Sequence, residues 1–345
     1  MRKTILIICL VVLIAAAVVF YLRFVVGGPE DDWICEDGKW VKHGAPSAPK
    51  PTSGCEKEAK VDKITPDTAK TEGVLDESMF QWSTMSEGPY RDKVTYATST
   101  DLINWTPSGV ILAEHASVPG ALYQDGTIFV YFVDVTQNGQ PEQLGFVSSS
   151  DNGLTWSEQR TLTIKGIGNR AVADPAPFQL DDGRIRLYYF DINEPRLNLG
   201  SQGQEPPQKI YSLISSDGLN FTQEDGVRFQ RDGAFDPDVE KIGDIYRMYV
   251  GDLAGNKVVS ATSTDSLTFV EEGTAYQGGA VPDVFYDNGT YYLFTAGIDM
   301  ATSSDGKQFT ASGHHFSDPN YRITADPSVV QLDDGTFLML YKVQP

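Results

Sequence analysis

Four aspartates sit beside prolines at the start of apolar stretches: Asp174 in ADPAPF, Asp236 in FDPDVE, Asp283 in VPDVFY and Asp326 in ADPSVV. In the second of these, strand alternation puts Asp236, Asp238 and Glu240 on one face. Carboxylates that converge raise one another's pKa, so that one serves as an acid and another as a base at the same pH. Cleavage of a glycosidic bond needs that division of labour. An Asp beside a Pro also caps a turn, and repetition in several places is what a purely structural role would produce. Arg170, Arg231 and Arg322 each lie four or five residues before one of these acids, where they can contact a ligand or pair with the acids themselves. Glu87 and Glu194 are looser candidates for an acid, and Trp82, Tyr90 and Tyr123 are aromatics able to stack on a sugar face. No cofactor is expected. A structural cation among the acids is conceivable, although no zinc-like or other ligand spacing supports it.

These residues belong to a repeat. One cassette, a Ser/Thr-x-Asp turn followed by an aromatic, recurs as STDLINW (99–105), SSDNGLTW (149–156), SSDGLNF (215–221), STDSLTF (263–269) and SSDGKQF (303–309). A second alternates with it, built on Pro119, Pro175, Pro237, Pro282 and Pro327, each followed by a Gly-containing turn and an aromatic or apolar alternation. Asp-Gly, Gly-Asp and Asn-Gly pairs suit tight hairpin turns, and the Val, Ile, Tyr and Phe around them suit a pleated surface. Two hairpins make a four-stranded unit that cannot bury its apolar face alone, and five units around an axis make an all-β, five-bladed propeller. The repeats begin with the second half of a unit (94–111) and end with a first half (326–343). The two chain ends are therefore expected to close the fifth blade together, leaving no unpaired sheet edge. In such a ring the proline cassettes supply the innermost strands, whose starts open on one face. The stretch 191–208 lengthens one connection and could shape a site there.

Composition narrows the partners. The formal charge of −20, with 41% hydrophobic residues, fits a soluble globular β body and offers no basic stripe for nucleic acid. Residues 4–22 form an uninterrupted run of apolar or small residues after Arg2 and Lys3, long enough to cross a bilayer, with Glu30, Asp31 and Asp32 beyond it. The expected organisation is a membrane anchor over 1–26, a linker over 27–73 and the propeller over 74–345, the last two outside the cytoplasmic membrane. A cleaved signal peptide is the rival for the first segment. Cys35 and Cys55, in a compartment that permits oxidation, can close the linker as a disulfide or remain free thiols.

The DP strand, DG turn, YY strand and S-x-D-G-x-x-F turn together resemble the five-bladed propellers of glycoside hydrolase family 43 and its relatives in families 32 and 62. SSDNGLTW also matches the Asp-box of sialidases, a structural turn remote from their catalytic centre. The first resemblance implies three acids at the channel mouth, from the inner strands of three successive blades: an Asp base, a pKa-tuning Asp and a Glu acid. Carried over residue by residue, these positions fall on Gly120, Asp174 and Asp236. The first is not acidic, the third is Asp instead of Glu, and the WMNDPNG-type opening is absent. Two functions stay open: a tethered glycosidase-like protein acting on polysaccharide through Asp174, Asp236, Asp283 and Asp326, or a non-catalytic propeller binding glycan or protein at the cell surface.

Overall fold

The structure, a computed structural model, describes residues 32–36, 39–43, 50, 88–136, 142–192, 208–252 and 254–345. The chain divides into two units, 1–72 and 73–345. Of the first, β1 (Asp32–Glu36) and β2 (Lys39–His43) form an antiparallel hairpin with Cys35 opposite Trp40. The apolar run 4–22, Cys55, Trp82, Glu87 and Glu194 lie outside the described residues. Among those described, no helix is long and apolar enough to cross a membrane.

The second unit is a five-bladed propeller. β3 (Lys93–Ser99) and β4 (Thr106–Glu114) come first but belong to the last blade. Blade one holds β5 (Ala116–Gln124), β6 (Thr127–Asp134), β7 (Gln143–Ser149) and the short β8 (Arg160–Thr161). After β9 (Ile164–Lys165), blade two runs β10 (Val172–Gln179), β11 (Ile185–Asp191), β12 (Gln208–Ser215) and β13 (Phe221–Gln223); β9 and β14 (Phe229–Arg231) extend its sheet. Blade three is β15 (Ala234–Ile242), β16 (Ile245–Asp252), β17 (Lys257–Ser263) and β18 (Val270–Gln277). Blade four is β19 (Asp283–Asp287), β20 (Thr290–Phe294), β21 (Asp299–Ser303) and β22 (Thr310–His315). Blade five takes β23 (Ile323–Gln331) and β24 (Phe337–Gln344) from the C-terminal end and β3 and β4 from the beginning. β24 pairs antiparallel with β3 from Phe337↔Ser99 to Val343↔Lys93, the closure expected from the phase of the repeat. The innermost strands β5, β10, β15, β19 and β23 touch in order, and β23 returns to β5.

The two cassettes explain how the blades hold one another. In each Ser-x-Asp turn the Asp accepts backbone N–H groups of its own turn. Asp217, for example, accepts from Leu219 at 2.9 Å and Asn220 at 2.8 Å, and those bonds hold its carboxyl below the usual carboxylate range. Each turn also holds a residue at positive φ: Leu102, Gly153 (after Asn152, which is positive too), Gly218, Ser266 and Gly306. In four of the turns that residue's carbonyl accepts a tyrosine hydroxyl from the preceding blade. The donors are Tyr96 to Gly153 (3.2 Å), Tyr131 to Gly218 (2.8 Å), Tyr188 to Ser266 (2.8 Å) and Tyr249 to Gly306 (2.7 Å). A fully buried tyrosine needs such a partner, because an unpaired hydroxyl there would offset much of the gain from burying its ring. Between blades four and five, apolar packing takes this role, with Phe294 edge-on to Trp105 at 6.2 Å. The core is thus a set of apolar layers between neighbouring blades.

Candidate functional site

Four of the five inner strands kink at their proline, and the fifth, β19, begins directly after its own. Register slips by a residue between Ser117 and Gly120, Ala173 and Ala176, Phe235 and Asp238, and Ala325 and Ser328. The residue before the proline then has positive φ in all five blades: Val118 (47°), Asp174 (52°), Asp236 (45°), Val281 (57°) and Asp326 (53°). Such a bulge lifts that side chain out of the pleat, onto the face where the strands begin. Asp tolerates this backbone; for a β-branched valine it is a true outlier, with strain of roughly 1–2 kcal/mol. The kink therefore builds a ring of five positions at the channel mouth, three acidic and two apolar.

This register corrects one sequence assignment. Asp283 does not share a tier with Asp174, Asp236 and Asp326, because blade four offers Val281 at that level. Asp283 follows its proline and stands level with Asp238, as do Gly120, Ala176 and Ser328 in the other blades. Alternation along β15 had placed Asp236, Asp238 and Glu240 on one face; the bulge at Asp236–Pro237 breaks it, leaving Asp236 at the mouth and the other two within the channel. The ring counterpart in blade one is Val118, so the position read as Gly120 remains non-acidic. Gly120 instead sets the spacing of two strands. A Cβ there would lie 1.9 Å from the Pro175 carbonyl oxygen, so only glycine lets β5 and β10 approach this closely.

The lower tier lines a channel of about 310 Å³. There the polar side chains stitch one blade to the next. Asp238 accepts the Val284 N–H at 2.9 Å, Asp283 that of Val329 at 3.0 Å, and the Ser328 hydroxyl that of Ala121 at 3.0 Å. Burial pushes the Asp238 carboxyl up to about 7. Glu240 and Asp283 are raised as well, first by burial and then by the charge of Asp238. Among the described residues, no three His, Cys, Asp or Glu side chains are placed to hold a metal ion.

The upper tier lines a cavity of about 490 Å³ whose wall includes Pro89, Val118, Phe190, Ile192, Phe235 and Val281. Asp174, Asp236 and Asp326 share its floor. Asp174 and Asp236 are adjacent: the Asp236 N–H donates to Asp174 Oδ2 at 3.3 Å. Burial raises both carboxyls. Asp236 is driven further, well above the usual range, because the Asp174 charge adds to burial. Burial and the neighbouring charge therefore oppose ionisation of Asp236 more strongly than that of Asp174. Asp326 is in a different setting, with Lys342 Nζ at 2.6 Å from its Oδ2. Burial pulls the Lys342 ammonium down, but Asp326 and Asp92 more than offset that and hold it above its ordinary range.

Three charged cavity residues escaped the sequence reading: Asp92, Glu142 and Lys342. Asp92 precedes β3, Glu142 precedes β7, and Lys342 lies in β24; none belongs to an Asp-Pro pair or to either repeated cassette. The one available signal was a lysine inside the apolar run FLMLYKV. The three arginines singled out from sequence lie away from both cavities. Arg170 stacks over the Tyr211 ring at 4.1 Å and approaches Asp191 at 3.9 Å. Arg231 pairs with Asp252 at 3.0 Å and Glu271 at 3.5 Å. Arg322 donates to Gln344 at 3.1 Å. Tyr123 lines the lower channel, and the hydroxyl of Tyr90 is raised by burial and by Glu142.

The same architecture recurs in solved structures. A thermostable family-43 glycoside hydrolase superposes with a TM-score of 0.52 at 14% identity, over 66% of this chain and 88% of that one. An α-L-arabinofuranosidase of Clostridium thermocellum gives 0.50 at 16% identity over 64% and 80%. A β-xylosidase gives 0.50 at 16% identity over 66% and 91%. The fold is that of the five-bladed glycoside hydrolase propellers. No protein-family model matches the sequence, and no curated protein does.

Proposed function

We propose that this protein is a glycosidase-like propeller that binds carbohydrate in the upper cavity and cleaves it with Asp236 and Asp326. The observation that carries the reading is the division of the three mouth acids into two environments. Burial and the Asp174 charge oppose ionisation of Asp236, whereas Asp326 is paired with an ammonium. Two carboxyls whose surroundings push them apart are what general acid and general base require. Asp236 would protonate the leaving oxygen, Asp174 would hold that proton in place, and Asp326 would take a proton from the attacking water. Phe190, Phe235 and Pro89 would supply the apolar surface for a sugar ring. That solved propellers of this fold include an arabinofuranosidase and a xylosidase supports carbohydrate as the ligand class.

A second reading, a non-catalytic glycan-binding propeller, is favoured by one observation. Val118 and Val281 interrupt the ring, so the acids do not come from three successive blades as in the enzymes that the sequence resembles. In either case the run 4–22 would tether the propeller outside the cytoplasmic membrane, the direction suggested by Arg2 and Lys3 before it.

The test is to incubate the full chain in detergent with aryl glycosides and polysaccharides, following reducing-end release and binding together. Loss of release in Asp236→Asn by about a hundredfold or more, with binding retained, supports the hydrolase. Binding without release across the panel selects the second reading, and release unchanged in Asp236→Asn refutes the assignment of the acid.

A further inference from the structure

Blade five is closed by both chain ends, and the seam lies beside the cavity. β24 carries Lys342 between two partners, Ala325 on β23 and Val94 on β3. The bulge after Ala325 turns the next residue, Asp326, back over β24, so that its carboxylate meets Lys342 Nζ at 2.6 Å. On the other side Asp92, two residues before Val94, approaches Nζ at 3.8 Å. Asp92 is only 1% exposed and is held from three directions. The Ser117 hydroxyl donates to its Oδ2 at 2.6 Å, the Gln344 amide donates to Oδ1, and its own carbonyl accepts the Ala116 N–H at 3.1 Å. The lysine head is thereby fixed between a carboxylate from the beginning of the propeller and one from its end.

We propose that Lys342, anchored by Asp92 across this seam, is a positioning residue that fixes both the charge and the direction of the Asp326 carboxylate in the cavity. The charged and titratable groups acting on this corner are Lys342, Asp92, Asp174 and Asp236, so Lys342 supplies the one positive charge among them. Without it, Asp326 would face carboxyl groups alone. Like charges in a buried site force protonation or rotation of one member. An uncharged side chain of the same length would preserve the packing of the stem and remove only the ammonium. Asp326 is also 7% exposed, with no second cation paired to it among the described residues, so nothing there would replace Lys342. The consequence for turnover rests on the hydrolase reading; the pairing itself does not.

The experiment is carboxyl 13C NMR on the full chain in detergent, labelled at aspartate, with the Asp326 signal identified by its absence in Asp326→Asn. In Lys342→Met this signal should titrate at least one pH unit higher than in wild type, and in Lys342→Arg it should stay near the wild-type position. If wild type turns over a glycoside, the acid limb of its kcat/KM profile should move up by the same amount in Lys342→Met. A merely structural lysine would leave that limb where it is. Should Lys342→Met fail to fold, the protected 1H–15N signal of the Lys342 ammonium decides. It should survive Asp174→Asn and be lost or broadened in both Asp326→Asn and Asp92→Asn. An Asp326 titration unmoved in Lys342→Met, or an ammonium signal indifferent to Asp326→Asn, overturns the proposal. If no glycoside is turned over, the hydrolase reading falls while the titration still decides the pairing.

Discussion

The channel carboxyls should make the propeller's stability fall as pH rises through mild acidity. Asp238 is pushed up to about 7 in the folded protein from an ordinary value of 3.8. Below pH 4 it is protonated in both folded and unfolded chains, and its contribution is fully present. As pH rises from about 4 to 7, the unfolded chain releases this proton while the folded chain retains it. Each pH unit in that window then removes about 1.4 kcal/mol of stability for one fully displaced group. Over the whole interval Asp238 alone would account for about 4 kcal/mol as an upper bound. Its side chain is partly open to channel water, which makes about 2 kcal/mol the more realistic figure. Glu240 and Asp283 act with the same sign, and the three titrate as a coupled set. Urea unfolding of the full chain in detergent at pH 4.5, 5.5, 6.5 and 7.5 measures the slope. The −20 formal charge produces general repulsion of the same sign, so the decisive comparison is Asp238→Asn. Asn keeps an oxygen for the Val284 N–H at 2.9 Å but cannot ionise. Its stability should therefore vary less with pH across this window, the gain over wild type being largest at pH 7.5. Equal slopes in wild type and Asp238→Asn would refute the reasoning, as would a wild type that grows more stable from pH 4.5 to 7.5.

Three further outcomes follow from the ring and its seams. Gly120→Ala should lose about 3 kcal/mol in urea unfolding, because its Cβ would meet the Pro175 backbone at 1.9 Å and force β5 from β10. Tyr249→Phe should lose about 1 kcal/mol, since the 2.7 Å bond to Gly306 has no neutral substitute and Arg247 reaches the same carbonyl only at 3.3 Å. Val118→Asn should gain about 1 kcal/mol and raise Tm, because Asn accepts φ of 47° far better than valine and the side chain is only half-buried.

The repeat in the sequence was enough to determine the five-bladed propeller and its closure by both ends. Local chemistry explains this: Asp-Gly turns, Ser-x-Asp turns and alternating aromatics each dictate a hairpin, and hairpins that expose one apolar face must stack. Asp174, Asp236 and Asp326 were legible for the same reason, since the Asp-Pro pair marks the kink that lifts each side chain to the mouth. Asp283 was misplaced because a proline shows where the chain bends but not which of its neighbours turns toward the mouth. In blade four the lifted residue is Val281, and Asp283 instead stitches blade four to blade five through the Val329 N–H. The arginines close in sequence to the acids pair elsewhere, while Lys342 and Asp92, separated by most of the propeller, meet at the cavity. Local pattern thus fixed the strands and most of the acids. Which carboxyl is pushed toward its protonated form and which is paired with an ammonium depended on burial and on contacts between distant residues, which exist only once the ring has closed.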